Sequence, residues 1–269
     1  MNNKLLKKMR KIQIYMLEEL HKICIENNLK YTVICGSMLG TIRHKGFIPW
    51  DDDFDIALPR KDYEKLLEIL KNKPIKDCYL LDFRTDKHYH LPYAKLCKNN
   101  TSYIETYCKN SLSKNGIFID IFPLDKIKSP TSKIAELRRL ICSFITFIIW
   151  EKENCKMKRK GIKKLINIIA KIFEFIPKKI LINTQKSLAI RENKNWEYLG
   201  IIYLINYKTK KLYFKINELD SIDILDFEST KVCCLKNYDE ILKRSYNDYM
   251  KLPKKECRNS GHDIYKIII

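Results

Sequence analysis

Between Leu5 and Asn27 apolar residues return every three or four positions, at Leu6, Met9, Ile12, Met16, Leu20 and Ile23. That is the period of a helix with one buried face. The next segment, LKYTVIC (29–35), is a short β-branched run that reads as a strand ended by Gly36-Ser37. SMLGTIRH then predicts a brief helix, and KGFIPW a loop fixed by Gly46 and Pro49. FDIALP (54–59) predicts a strand stopped by Pro59, with Phe54, Ile56 and Leu58 on one face. RKDYEKLLEILKN follows as an amphipathic helix burying Tyr63, Leu66, Leu67 and Leu70.

Three further strands are expected at CYLLDF (78–83), PYAKLC (92–97) and SYIETY (102–107). GIFIDIF (116–122) is the most strand-like segment, and Pro123-Leu124-Asp125 reads as the turn that closes it. From Ser132 to about Arg191 the period is helical, apolar and basic, with a break at Pro177. The remainder is mixed, with a helix near YDEILKRSYNDYM (238–250) and an extended tail. The pattern predicts an α+β protein: a mixed sheet flanked by helices over residues 1–128, a basic helical insertion or second lobe over 129–194, and a C-terminal segment, 195–269, that completes the first part. The soft boundary falls near Ser129-Pro130.

Composition narrows the picture. A chain of 269 residues with 45% hydrophobic and 11% aromatic content buries a real core and is not disordered. Its longest apolar run, LICSFITFIIW (140–150), is too short to span a bilayer. It predicts a buried helix or, as an alternative, one lying on a membrane surface. The formal charge of +20 favours an anionic partner such as a nucleotide, a nucleic acid, an anionic glycan or an anionic membrane, although a genome's base bias produces the same lysine-rich composition. Aromatic residues are not interleaved with the basic ones as stacking platforms, which weighs against nucleic acid. Ten cysteines form no CxxC pair and Met1-Asn2-Asn3-Lys4 opens no secretory signal, so free thiols in a cytoplasmic protein are expected. His88 and His90 share an i, i+2 spacing with no third ligand in view and read as a solvated turn.

Against that positive charge, Asp51, Asp52, Asp53 and Asp55 crowd into five positions. Asp53 and Asp55, two apart on an extended strand, project from one face roughly 6.5–7 Å apart, a reach that suits one or two divalent cations. Hard oxygen donors without a thiolate or imidazole pair favour Mg²⁺ or Mn²⁺, and a magnesium site with few protein ligands points to a phosphorylated substrate. Arg43, His44 and Lys45 lie near enough in sequence to meet phosphate charge. Asp120, inside the apolar run of GIFIDIF, is costly to bury unless paired or liganded, and is the expected third carboxylate. Asp125 is the runner-up. Asp51 is an additional candidate ligand, and Asp52, on the other parity, is expected to make structural contacts.

GSMLGTIRHKGFIPWDDDFDIALPRKDYEKL, YAKLCKNNT, GIFIDIFPLD and YDEILKRSYNDYMKLPKKECRNSGH, in that order, resemble the blocks of the LicD family of phosphocholine transferases. The resemblance implies a nucleotidyltransferase-like catalytic core, a CDP-alcohol donor (CDP-choline first), a surface glycan or glycolipid such as lipopolysaccharide as acceptor, and release of CMP. It implies Asp53, Asp55 and Asp120 as metal-binding and catalytic residues, Gly36 and Ser37 on the phosphate side, and Arg43 and Lys95 as basic contacts. The terminal block departs from the family pattern at Tyr246-Asn247 and Gly261-His262, where acceptor or nucleobase contacts are in question. His262 is the candidate acceptor-side residue there, with Tyr249 beside it; Trp50 either stacks on cytosine or caps the core. Donors carrying ribitol or glycerol, and nucleotidyl transfer to a small molecule or RNA, are the alternatives. Peripheral contact with an anionic membrane, at its inner face, is a further expectation for the basic helices.

Overall fold

The computed structural model describes residues 3–157, 164–190, 196–203 and 211–269. Helix α1 (Asn3–Glu26) buries Leu6, Met9, Met16 and Leu20 of the expected stripe together with Gln13, Leu17 and Cys24, while Ile12 and Ile23 are only partly buried. It leads into β1 (Thr32–Val33), helix α2 (Cys35–His44), β2 (Asp55–Pro59) and helix α3 (Arg60–Asn72). Strands β3 (Cys78–Leu81), β4 (Ala94–Lys98), β5 (Ser102–Glu105) and β6 (Phe118–Ile127) follow.

The main sheet runs β1-β2-β6-β4-β3. Strands β2 and β6 are parallel, while β1–β2, β4–β6 and β3–β4 are antiparallel. Helices and a mixed sheet in one fold make this an α+β protein. Phe54, Ile56 and Leu58 are fully buried, as the alternation requires, and α3 covers the sheet with Tyr63, Leu66, Leu67 and Leu70.

Two sequence expectations are corrected in this core. Pro123-Leu124-Asp125 is not a turn: β6 continues through it to Ile127, pairing first with β2 and β4 and then with β7 (Tyr198–Gly200), which carries β8 (Tyr213–Lys215) at its edge. Buried Asp125 stays in the strand because Arg60 grips both its oxygens at 2.8 Å. SYIETY likewise ends as a strand at Glu105, where the chain tightens into a 3₁₀ turn at Thr106–Cys108.

The basic region forms α4 (Lys133–Lys152), α5 (Lys164–Ile172) and α6 (Lys178–Ile190), with the expected break at Pro177; Lys158–Lys163 and Arg191–Asn195 lie outside the described residues. Ser132 caps α4 by accepting from Ala135 N. These helices meet through Ile145, Ile148, Ile149, Ala170 and Leu181. Among the described residues no helix is long and apolar enough to cross a membrane.

The final quarter supplies a hairpin of β9 (Ile222–Phe227) and β10 (Thr230–Leu235), helix α7 (Tyr238–Tyr246) and β11 (Ile264–Ile268). The hairpin is tied to the first strand region by Cys233 N donating to Tyr31 Oη and Leu235 N to Thr32 Oγ1. The extended tail pairs antiparallel with β5 as β11, and Thr106 N donates to Asp263 O.

Free thiols throughout were expected; Cys108 and Cys155 are instead joined by a disulfide, linking the turn after β5 to the segment after α4. The other eight cysteines are in no disulfide. Sequence spacing carried no sign of this pair, which lies 47 residues apart. Nor do His88 and His90 form a solvated turn. His88 Nδ1 lies 3.0 Å from Glu153, and His90 is buried with Nε2 3.2 Å from Cys108 Sγ.

Candidate active site

One cleft of about 900 Å³ opens where α2, the start of β2, the first half of β6 and the C-terminal segment meet. Its walls include Gly36, Arg43, Trp50, Asp51, Asp53, Asp55, Tyr93, Asp120, Tyr246, Tyr249 and His262.

Parallel pairing places Asp55 directly opposite Asp120, and antiparallel pairing places Lys95 on the other side of Asp120. The backbone holds this register close to the cleft: Asp120 N donates to Phe54 O at 2.9 Å. Lys95 Nζ then meets Asp120 at 2.9 Å, so this lysine, expected at a phosphate, touches a carboxylate, and its ammonium also lies over the Phe118 ring at 3.2 Å from the centroid. Asp53 does not belong to the strand. It lies in the extended segment before β2, which begins at Asp55, and nonetheless faces the same cleft.

Gly36 and Ser37 are in the first turn of α2 rather than in a turn preceding it. Ser37 Oγ accepts from Asp55 N at 2.8 Å, so the hydroxyl expected on the phosphate side fixes the start of the acidic strand. Gly36 has a steric reason to be glycine: a Cβ there would stand 2.6 Å from Asp51 Oδ2. At Gly40 a Cβ would meet Gly46 O at 2.5 Å, so glycine is what lets the loop fold back on the helix, where Gly46 N donates to Gly40 O. Arg43 donates to His44 Nε2 at 3.0 Å and to Tyr249 O at 2.6 Å, with its guanidinium on the cleft wall; His44 is its support. Trp50 packs against the core and also faces the cleft, with the Arg258 guanidinium 5.4 Å from its ring centroid.

Asp52 is fully buried and makes structural contacts as expected, but to side chains. Tyr103 Oη donates to Oδ2 at 2.9 Å, and His262 Nδ1 lies 2.7 Å from Oδ1. The other ring nitrogen of His262 lies 3.7 Å from Asp53. Buried Gln13 donates to Asp52 O and Phe118 O, and Arg10 to Ile48 O and Asp51 O, tying the acidic loop to α1. Tyr103, Gln13 and Arg10 were not singled out from sequence. A polar glutamine on the apolar stripe of α1 was the one available sign.

The electrostatics follow from this crowding. Burial and then the neighbouring Asp53 push Asp51 up to about 8. Burial raises Asp120 to about 6 although Lys95 opposes it. Asp55 is held well above the ordinary carboxylate range by burial, Asp53 and Asp120, and Asp53 is raised by burial and Asp52 against the pull of His262. Burial would lower His262, but the hydrogen bond to Asp52 and the charge of Asp53 lift it to about 9. Among the described residues, ion pairs to these five aspartates come from Lys95 and His262. Ligand oxygens of Asp51, Asp52 and Asp53 lie within 4.8 Å of one another. Excess buried carboxylate with hard oxygen donors is the chemistry that Mg²⁺ or Mn²⁺ would neutralise, so the residues present fit such an ion.

Residues 28–141, which contain all four cleft aspartates, match the model of the LicD/FKTN/FKRP nucleotidyltransferase domain. The match places the acidic wall of the cleft within a span that is similar to the LicD family. Similarity extends further: the chain is 24% identical over 269 residues to the lipopolysaccharide cholinephosphotransferase LicD of Haemophilus influenzae, covering 96% of each chain. A shorter stretch of 55 residues is 40% identical to an uncharacterized protein of Rickettsia prowazekii, covering 20% of this chain and 21% of that one. His262, beyond the matched span, is brought to Asp52 within it by the pairing of β11 with β5.

Proposed function

We propose that this chain is a phosphotransferase that moves phosphocholine from CDP-choline to a hydroxyl of a lipopolysaccharide-type glycan and releases CMP. Asp53, Asp55 and Asp120 would hold the divalent cation, with Asp51 as an added ligand. The observation that carries the reading is the convergence of four carboxylates from two parallel neighbours and the loop before them on one cleft large enough for a nucleotide. The similarity to a cholinephosphotransferase along 96% of the chain supports the choice of phosphocholine.

When bound, the cation would supply charge neutralisation of the donor phosphates. The chain's own residues do the rest. Arg43 presents its guanidinium to donor phosphate, and Trp50 offers a ring face in the same wall. The acceptor hydroxyl oxygen forms a bond to the phosphorus bearing choline, while the bond from that phosphorus to the bridging oxygen breaks and its electron pair leaves with CMP. The hydroxyl proton passes to Asp120, which at about 6 is ionised at neutral pH and is oriented by Lys95. His262, held by Asp52, is a cation on the acceptor side.

The test is to incubate the protein with Mg²⁺, a panel of CDP-alcohols and glycan, and to follow the nucleotide product. Release of CMP with CDP-choline is expected. Turnover of a nucleoside triphosphate with release of pyrophosphate, and none of CDP-alcohols, would replace this reading with nucleotidyl transfer.

A further inference from the structure

Helix α5 is amphipathic in the wrong sense for a globular protein. Its small residue, Ala170, is fully buried, whereas Leu165, Ile168 and Ile172 are 53%, 57% and 63% exposed and Ile169 is exposed beside them. Those four stand at i, i+3, i+4 and i+7, one continuous stripe. The 3₁₀ turn that follows adds Phe173 and Phe175, the latter 79% exposed. Helix α4 repeats the spacing with Leu137, Leu140 and Ile141, all exposed, and Phe144. The two stripes join where the Phe144 and Phe173 rings meet edge to face at 5.9 Å.

Scattered surface leucines need no explanation, but a joined apolar face on two helices marks an interaction site. Its surroundings identify the partner. Lys133, Lys171 and Lys179 are exposed next to the apolar positions. Residues 152–186 carry eleven Lys and Arg against two Glu. An apolar stripe bordered by lysine is the pattern of a helix that lies in the interface of an anionic bilayer. A second copy of this chain is a poorer match, since stacking the two faces would bring lysine against lysine. We propose that α4, α5 and the turn at Phe173–Phe175 seat this protein on the surface of an anionic membrane. Helix α6, which packs on α4, reaches toward the cleft: Tyr93 lines the acidic cleft and also a second cavity whose wall includes Ile182 and Lys186 of α6. Docking there would hold the cleft next to a lipid-borne acceptor.

The experiment is co-sedimentation of the full chain with vesicles of phosphatidylcholine alone and of phosphatidylcholine mixed equally with phosphatidylglycerol, at low and high salt. Binding to the anionic vesicles, weakened by salt, is expected. The double variant Ile168→Asp/Ile172→Asp should lose at least about tenfold in affinity, and Lys171→Ala/Lys179→Ala about twenty-five-fold, at roughly fivefold per lysine. Both variants should keep the wild-type circular dichroism spectrum and release CMP from CDP-choline with a water-soluble acceptor at the wild-type rate, which separates this surface from the proposed chemistry. Equal binding to both vesicle types, no binding to either, or a dimer in solution that Ile168→Asp breaks would each overturn the proposal.

Discussion

The two halves of strand β6 each bury an aspartate, and they treat it in opposite ways. Asp125, in the second half, is 1% exposed and receives a two-pronged grip from Arg60, which also donates to the Tyr203 hydroxyl. One fixed cation answers one anion, and nothing is left for a ligand to do. Asp120, five residues earlier, has a lysine at 2.9 Å but shares its cleft with Asp51, Asp53 and Asp55, so the negative charge exceeds what the neighbours neutralise. A buried carboxylate is therefore no sign of function by itself. Uncompensated carboxylates in a cleft are.

This contrast breaks most sharply by mutation. Asp53→Asn or Asp55→Asn should lower CMP release by at least about 10³-fold, or roughly 4 kcal/mol of transition-state stabilisation, without lowering Tm, because each removes a repulsion from the native state. A variant that melts several degrees earlier would mean these groups are structural after all. Asp125→Asn should do the reverse: about 3 kcal/mol of stability lost in urea denaturation, because Arg60 loses its two-pronged carboxylate and keeps only Glu64 and the Tyr203 hydroxyl, and little change in activity per folded molecule. Equal effects of the two kinds of substitution would erase the distinction between the halves of β6.

A pH series sharpens the same comparison. Asp51 and Asp120, raised to about 8 and about 6, keep protons that the unfolded chain has already released, so their contribution to stability falls as pH rises from about 4 to about 8. His262, raised to about 9, adds stability that is complete below about 6.5 and disappears as pH climbs through 9. Both act in one direction, so the metal-free protein should show a falling Tm between pH 6 and pH 9. Mg²⁺ should restore it, most at the alkaline end, where protons no longer compete; a Tm that rises with pH in EDTA would contradict the charge excess. The smallest effect is expected from Tyr103→Phe, which takes one hydrogen bond from buried Asp52 and should cost about 1–2 kcal/mol in the same denaturation assay.

Much of this architecture could be read from one-dimensional pattern. The strand around Asp55, the helix after it and the strand carrying Asp120 each follow from local periodicity, and the parallel register of Asp55 with Asp120 is the juxtaposition those segments suggested. What stayed hidden depends on partners distant in sequence. Asp125 looked like part of a turn because Pro-Leu-Asp is turn chemistry, and only Arg60, 65 residues away, makes it tolerable inside a strand. Lys95 looked like a phosphate contact until the sheet set it beside Asp120. The Cys108–Cys155 bond and the role of Tyr103 likewise arise from topology, which no spacing rule encodes. The resemblance of motifs located the acidic cleft; it was silent on which side chains hold Asp52 in place.

The clasp on Asp52 has a consequence for how the protein comes into being. Its imidazole partner lies 210 residues downstream and is delivered by a strand that docks on β5. A chain made from its N-terminus therefore holds the Asp52 side chain through Tyr103 alone until His262 is added. The acidic loop gains its imidazole partner only when that final strand pairs with β5.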